Sequence, residues 1–352
     1  MSAKISTTLE KTRSKNGFDK VPKLDTLGTT GENATNQQLT SKLFLQKKAR
    51  RKGLTMALAG QLARVKNSTL TKSYVNSLYC SEVILQDGNK LSSKHCKSRW
   101  CLVCNSIRTA KLIFGYKEVL QTMANPMFIT LTLKSVKAED LRKTIDKMQA
   151  IFRNIQHDVL RKKYKIRLDG IRKIECNFNE NKKTFNPHFH LVADCKPCEA
   201  ILLKSLWLDS FNLESATPEG QDTRKIDESK EEPIVELFKY FTKMIIKGKF
   251  NPTASDVIFT AIRGKRVVQP FGKIRKLKVS EDIEELQSQE ADFLEQKAEI
   301  WQYVQEVYDW VSSDGELLSE FQPSQKFIKL INKINASEKK TDQRSQNNHS
   351  YR

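Results

Sequence analysis

The feature that most limits what this chain can fold into is a pair of short alternating stretches, Ile171 to Phe178 and His188 to Ala193, joined by the polar turn Asn179-Glu180-Asn181-Lys182-Lys183. Apolar and polar residues at period two, bounded by a turn, specify an antiparallel hairpin. Residues two apart on a strand share a face, so His188 and His190 project together and Phe189 points the other way. With only five histidines in the chain, two at this spacing are candidate ligands for one cation. A paired structural role in a polar patch is the competing reading. Glu175 lies on the partner strand and reaches the same face across the ladder. Two imidazole nitrogens and one carboxylate leave coordination positions open for phosphate oxygens. They suit Mg²⁺ or Mn²⁺ acting as a Lewis acid, and zinc also accepts such ligands.

The surroundings of the hairpin read as mixed structure. Met127 to Lys134 alternates as a half-buried strand does. Leu141, Ile145, Met148, Phe152, Ile155 and Val159 recur at helical spacing. Glu199 to Phe211 reads as a helix and Thr223 to Ile226 as a short strand. Pro233 opens a further helix to about Ile246. The order is that of an α+β fold, an antiparallel central sheet flanked by helices. In the last helix Glu236, Tyr240 and Lys243 share a face. A tyrosine hydroxyl is a weak nucleophile at neutral pH and needs a cation or base beside it, which Lys243 could supply. Taken alone, such a face is most often plain solvated surface.

Charge and cysteines narrow the class. Lys and Arg outnumber Asp and Glu by 61 to 41, a net charge of +20, which concentrates polyanions near the surface. Within a helix from Ser41 to about Val65, Lys47, Lys48, Arg50, Arg51 and Lys52 form a basic cluster that suits a cationic surface or a phosphate contact equally well. Cys80, Cys96, Cys101 and Cys104 follow the order C-x15-C-x4-C-x2-C. Four thiolates suit a structural zinc site, with His95 able to replace one of them; free thiols are the other reading. Cys195 and Cys198, with Cys176 nearby, read as packing residues. No apolar run spans a bilayer and Met1 to Ser6 leads into polar sequence, so a cytoplasmic protein is expected. No G-x-x-x-x-G-K-[ST] loop is present, so any strand unwinding is expected to be borrowed.

Three segments in order, Phe128-Ile129-Thr130-Leu131-Thr132-Leu133, Asn186-Pro187-His188-Phe189-His190 and Glu236-x-x-x-Tyr240-x-x-Lys243, resemble the HUH endonucleases that initiate rolling-circle replication of small plasmids. The likeness is to the single-tyrosine Rep branch typified by staphylococcal plasmids. It extends from the cysteine module to Gly264-Lys265-Arg266 and Gly272. The resemblance implies a ferredoxin- or RRM-like HUH domain, with His188 and His190 as metal ligands, Glu175 as the third, Tyr240 as nucleophile and Glu236 as activator of water. It also implies nicking and strand transfer at a plasmid origin, single-stranded at the cut, through a 5′-phosphotyrosine, with host helicase and DNA polymerase as partners. Many relatives carry a further histidine where this chain has Asn186. A relaxase or transposase of the same chemistry, or a zinc-bearing DNA-binding protein without catalysis, are the alternatives.

The expected organisation is a disordered tail over 1–38, a basic helix and zinc module over 39–118, and the endonuclease domain over 119–280. A helical extension over 281–336 and a second tail over 337–352 complete it. After Val257 the stretch VIFTAIRGKRVVQPFG reads as β-like. From about Ile283 a long amphipathic helix is expected, with Leu294, Ala298, Trp301, Val304, Tyr308 and Val311 on one face.

Overall fold

The computed structural model describes residues 34–88, 90–211, 215–226, 245–246, 249–275 and 298–336. The chain divides into two units, Met1–Ser41 and Lys42–Arg352; the described part of the first is the opening of a helix.

Five strands form the sheet that matters for function: β3 (Pro126–Thr132), β4 (Asp169–Asn179), β5 (Thr184–Asp194), β6 (Asp222–Lys225) and β9 (Val268–Phe271). They lie in the order β6-β3-β5-β4-β9, and every pairing is antiparallel. The hairpin strand carrying the histidines is therefore central, with a hydrogen-bonded neighbour on each side. Helix α4 (Ala138–Asn154) covers one face because Leu141, Ile145, Met148 and Phe152 make a buried stripe. Its C-terminal end runs on as a π-helical segment, Ile155–Lys163. Helix α5 (Pro197–Ser210) starts at a proline and seats the fully buried Trp207 against Phe189, ring centroids 5.7 Å apart.

A second sheet joins distant parts of the chain. Strands β1 (Val83–Asp87) and β2 (Lys90–Ser92) pair with β10 (Glu299–Val304) and β11 (Asp309–Val311) in the order β11-β10-β1-β2. Helix α1 (Ala34–Ala63) and α2 (Thr71–Leu78) precede it, and α3 (Leu102–Gln121) leads from it to the larger sheet. Gly53 of α1 sits where a Cβ would lie 2.8 Å from the Tyr308 ring, so the close approach of the β10–β11 turn requires glycine there. Asp309 is fully buried and accepts hydrogen bonds from the backbone of Trp310, Ser319 and Phe321 and from the Ser319 hydroxyl. It holds this turn together.

Three expectations need correction. Residues 299–304 and 309–311 are strands, and the helix of this region is α7 (Gln325–Asn335). In β10 Trp301 and Tyr303 are buried while Ile300 is 60% exposed, a period of two fixed by pairing with β1. The stretch after Val257 is the second half of helix α6 (Pro252–Ile262), and only Val268–Phe271 is strand. Pro252 at its first turn and Asn251, which accepts from the Ala254 N–H at 2.9 Å, set its start. Ile245–Ile246 is a short strand paired with β8 (Lys249–Phe250), not a helix end. No helix among the described residues is long and apolar enough to cross a membrane.

Candidate functional site

The register of the central strands builds a polar cluster on one face of an otherwise apolar sheet. Across β4 and β5, Glu175 stands opposite His188 and Lys173 opposite His190. Across β3 and β5, Thr132 faces His188 and Thr130 faces His190. One ligand atom each from Glu175, His188 and His190 lie within 4.8 Å of one another. Period two puts Lys173 on the same face as Glu175, and its Nζ is 3.1 Å from Glu175 Oε2. His190 Nε2 is 3.5 Å from that oxygen. Glu175, His188 and Lys173 are buried, whereas the His190 side chain is 15% exposed, so the cluster opens to solvent past His190.

Both imidazoles are fixed by their other nitrogen. His188 Nδ1 lies 3.1 Å from the Asn186 carbonyl oxygen, which can only accept, so Nδ1 carries the proton and the lone pair lies on Nε2. His190 Nδ1 is 3.2 Å from Thr130 Oγ1, a hydroxyl that orients the ring and can either accept from it or donate to it. The Phe128 ring lies 5.5 Å from that of His190, and the Arg224 guanidinium lies 4.8 Å over Phe128. Asn186, the departure from the family pattern, turns its side-chain amide away to donate to the Leu133 carbonyl at 2.5 Å. The donor set fits a hard or borderline divalent cation: cis ligands at about 2.1 Å lie roughly 3 Å apart, close to the 3.5 Å between His190 and Glu175. Tyr240, Glu236 and Lys243 lie outside the described residues.

The second cluster has a different chemistry. Cys80, Cys96, Cys101 and Cys104 bring four sulfurs within 4.8 Å. Cys80 Sγ and Cys96 Sγ are 3.5 and 3.7 Å from Cys104 Sγ. A tetrahedral ion with bonds of about 2.3 Å to sulfur needs separations of about 3.8 Å, so the sulfurs already stand at zinc-binding spacing. None of the four is in a disulfide. Cys101 caps α3, its sulfur accepting from the Cys104 N–H, which places sulfur at the positive end of the helix. Hydrogen bonds from Cys101, Cys104 and Cys80 hold the Cys96 thiol far below its usual range, while Cys104 and its neighbours push Cys101 up. His95 is not one of the converging groups; burial and the charge of Lys48 push it down to about 4.

Part of the basic cluster of α1 belongs here. Lys52 is buried, its Nζ donating to the Leu78 carbonyl, and its charge interacts with Cys80 and Cys101. Burial pushes Lys48 down to about 8 against the opposing pull of Cys80 and Cys104. These two cations lie against the cysteines and interact with their charge. Sequence reasoning missed them because nothing local shows that α1 packs on the cysteine module. Lys173 was also missed, although its place two residues before Glu175 was a readable signal. Of the second Cys-x-x-Cys, Cys195 packs in the core as expected, but Cys198 is exposed.

Comparison with known proteins defines the class. Residues 89–197, which contain Glu175, both histidines and three of the four clustered cysteines, match the family model of a replication protein. The "Protein rep" of Staphylococcus aureus is 25% identical over 178 residues, 47% of this chain and 76% of that protein. The "Protein rep" of Bacillus amyloliquefaciens is 32% identical over 114 residues, 30% of this chain, and that of Streptococcus pneumoniae 29% identical over 108 residues, 29% of this chain. The alignments span 33% of each of these last two relatives. No solved structure gives a significant match. Residues 89–197 are thus similar to a replication-protein domain. Together these matches support kinship of this segment with the Rep family of plasmid replication initiators.

Proposed function

We propose that this protein nicks one DNA strand at a plasmid origin and transfers it, using the Glu175, His188 and His190 cluster and a covalent Tyr240 intermediate. The observation that carries the reading is the convergence of those three side chains from facing positions of β4 and β5, their other atoms tied by Asn186 and Thr130. Mg²⁺ or Mn²⁺ held there would polarise a phosphodiester. His188 and His190 present ring nitrogens held in place by Asn186 and Thr130, and Glu175 supplies the negative charge that selects a divalent cation. Lys173 holds that carboxylate in place.

Tyr240 attacks phosphorus in line. An O–P bond forms to the tyrosine, the P–O3′ bond breaks, and the tyrosine proton passes to the departing 3′ oxygen, with Lys243 stabilising the phenolate. The free 3′-hydroxyl is then a primer for host polymerase. After one round, Glu236 takes a proton from water, which displaces the tyrosine from phosphorus and releases the protein. The cut strand must be unpaired, and unwinding falls to a host helicase. The cysteine cluster, in this account, holds a structural zinc, and the protein works in the cytoplasm.

The test incubates purified protein and labelled single-stranded origin oligonucleotide with Mn²⁺. The wild type should form a covalent adduct with the 5′-phosphate end of the fragment downstream of the cut, and Tyr240→Phe none. An adduct surviving in Tyr240→Phe would remove Tyr240 as nucleophile. Glu236→Ala should still nick but release its final adduct slowly.

A further inference from the structure

A cleft of about 600 Å³ opens on the helix-covered face of the five-stranded sheet, between α4, the π-helical segment and edge strand β9. Arg172, which lines it, stands on the opposite face of β4 from Lys173 and Glu175, and its guanidinium lies over the rings of Phe189 and Phe152 at 4.4 and 4.9 Å. The cleft is therefore separate from the proposed metal centre. Seven basic side chains line it against one carboxylate, Asp146, and that carboxylate is paired with Lys265. Arg142 is occupied with carbonyls at the end of α6, including Thr260 at 3.1 Å and Arg263 at 3.2 Å. Arg153, Arg161 and Arg266 are exposed at the rim.

Arg172 points to a ligand. It is 5% exposed, its one hydrogen bond among the described residues goes from Nη2 to Gln269 Oε1 at 2.9 Å, and its Nε has no hydrogen-bond partner there. No carboxylate among the described residues pairs with it. Burial, and next the charge of Arg153, push its pKa down to about 10. A buried cation facing further cations is unfavourable until an anion neutralises them. The two phenyl rings of the cleft, Phe152 and Phe271, are packed edge to face on each other at 5.6 Å and give bases no stacking platform, which leaves only the exposed His157 imidazole among the lining rings. Single-strand sites rely on such platforms, whereas duplex contacts are mostly guanidinium or ammonium to phosphate.

We propose that this cleft binds backbone phosphates of duplex DNA, so that the protein holds paired DNA on one face of its sheet and cuts an unpaired strand on the other. The choice of DNA as the polyanion rests on the nuclease reading above. The full chain carrying Arg153→Ala, Arg161→Ala and Arg266→Ala is compared with wild type for binding a labelled duplex between about 50 and 200 mM salt. The variant should bind roughly 10-fold or more weakly, and its slope of log affinity on log salt should be shallower by about 2 to 3, near 0.9 for each phosphate that is no longer neutralised. Cutting of a single-stranded oligonucleotide should proceed at the wild-type rate. Unchanged duplex affinity and slope overturn the proposal. So does tight calorimetric binding of inorganic pyrophosphate or a nucleoside triphosphate that the variant loses while duplex binding persists. A wild type that cuts nothing, yet whose duplex binding falls in the variant, supports the cleft and sinks the nuclease reading, so the two failures are distinguishable.

Discussion

The two ligand clusters of this protein are built on opposite plans. The cysteine cluster draws its residues from the end of α2, the loop after β2 and the start of α3, three of its four thiols are buried, and Lys48 and Lys52 interact with its charge. It has the form of a closed structural site, whose ion would tie together three segments that are separate in the chain. The Glu175, His188 and His190 cluster needs no ion to exist, because an eleven-residue hairpin register already sets it. It opens past His190, as a site that exchanges ligands must. Under the function proposed above, the ion of the first cluster would serve folding and that of the second chemistry, so each can be perturbed separately.

The largest effect should follow from Cys104→Ser. Structural zinc contributes on the order of 10 kcal/mol in small zinc domains. Losing even a few kcal/mol of that should lower the melting temperature by roughly 10 °C. The bound zinc measured by elemental analysis should fall from one per chain to near zero. A variant as stable as wild type would place the cysteines as ordinary packing thiols.

His190→Ala should do the reverse. Strand cutting is expected to fall by about 10³-fold, the scale on which removal of a polarising group acts, with the melting temperature changed by only a few degrees. Circular dichroism melts beside the cleavage assay check both halves.

Lys173→Met sharpens the contrast further. Breaking a buried pair leaves Glu175 charged and uncompensated, at a cost of about 3 kcal/mol. Added Mn²⁺ should recover most of that stability in the denaturant midpoint, since the cation takes over the role of the ammonium. If Mn²⁺ changes nothing, Lys173 does not share its carboxylate with a metal. The smallest effect is expected of Thr130→Val, which removes the partner of His190 Nδ1 and should weaken metal affinity by about 10- to 100-fold at unchanged stability.

The central hairpin was readable because its information is local. Alternation and a polar turn fixed both strands, and strand geometry alone predicted which face His188 and His190 share. The β10 strand was not readable, since Trp301, Val304, Tyr308 and Val311 also satisfy helical spacing. What makes it a strand is pairing with β1, more than two hundred residues earlier in the chain. Helix α6 was legible but passed over: Asn251 and Pro252 are a start signal, outweighed in the reading by the β-branched residues Val257, Ile258 and Thr260. The placement of Lys48 and Lys52 behind the thiolates could not be read at all, because it depends on how α1 docks.

The most direct test of the account is strand cutting measured on one protein sample before chelation, after mild chelation, and after Mn²⁺ is returned, with the melting curve recorded at each stage. The account predicts that cutting stops and returns while the melting temperature and bound zinc stay constant. Cutting that continues in the chelated protein with its zinc retained would contradict it, because the open cluster would then play no part in the chemistry.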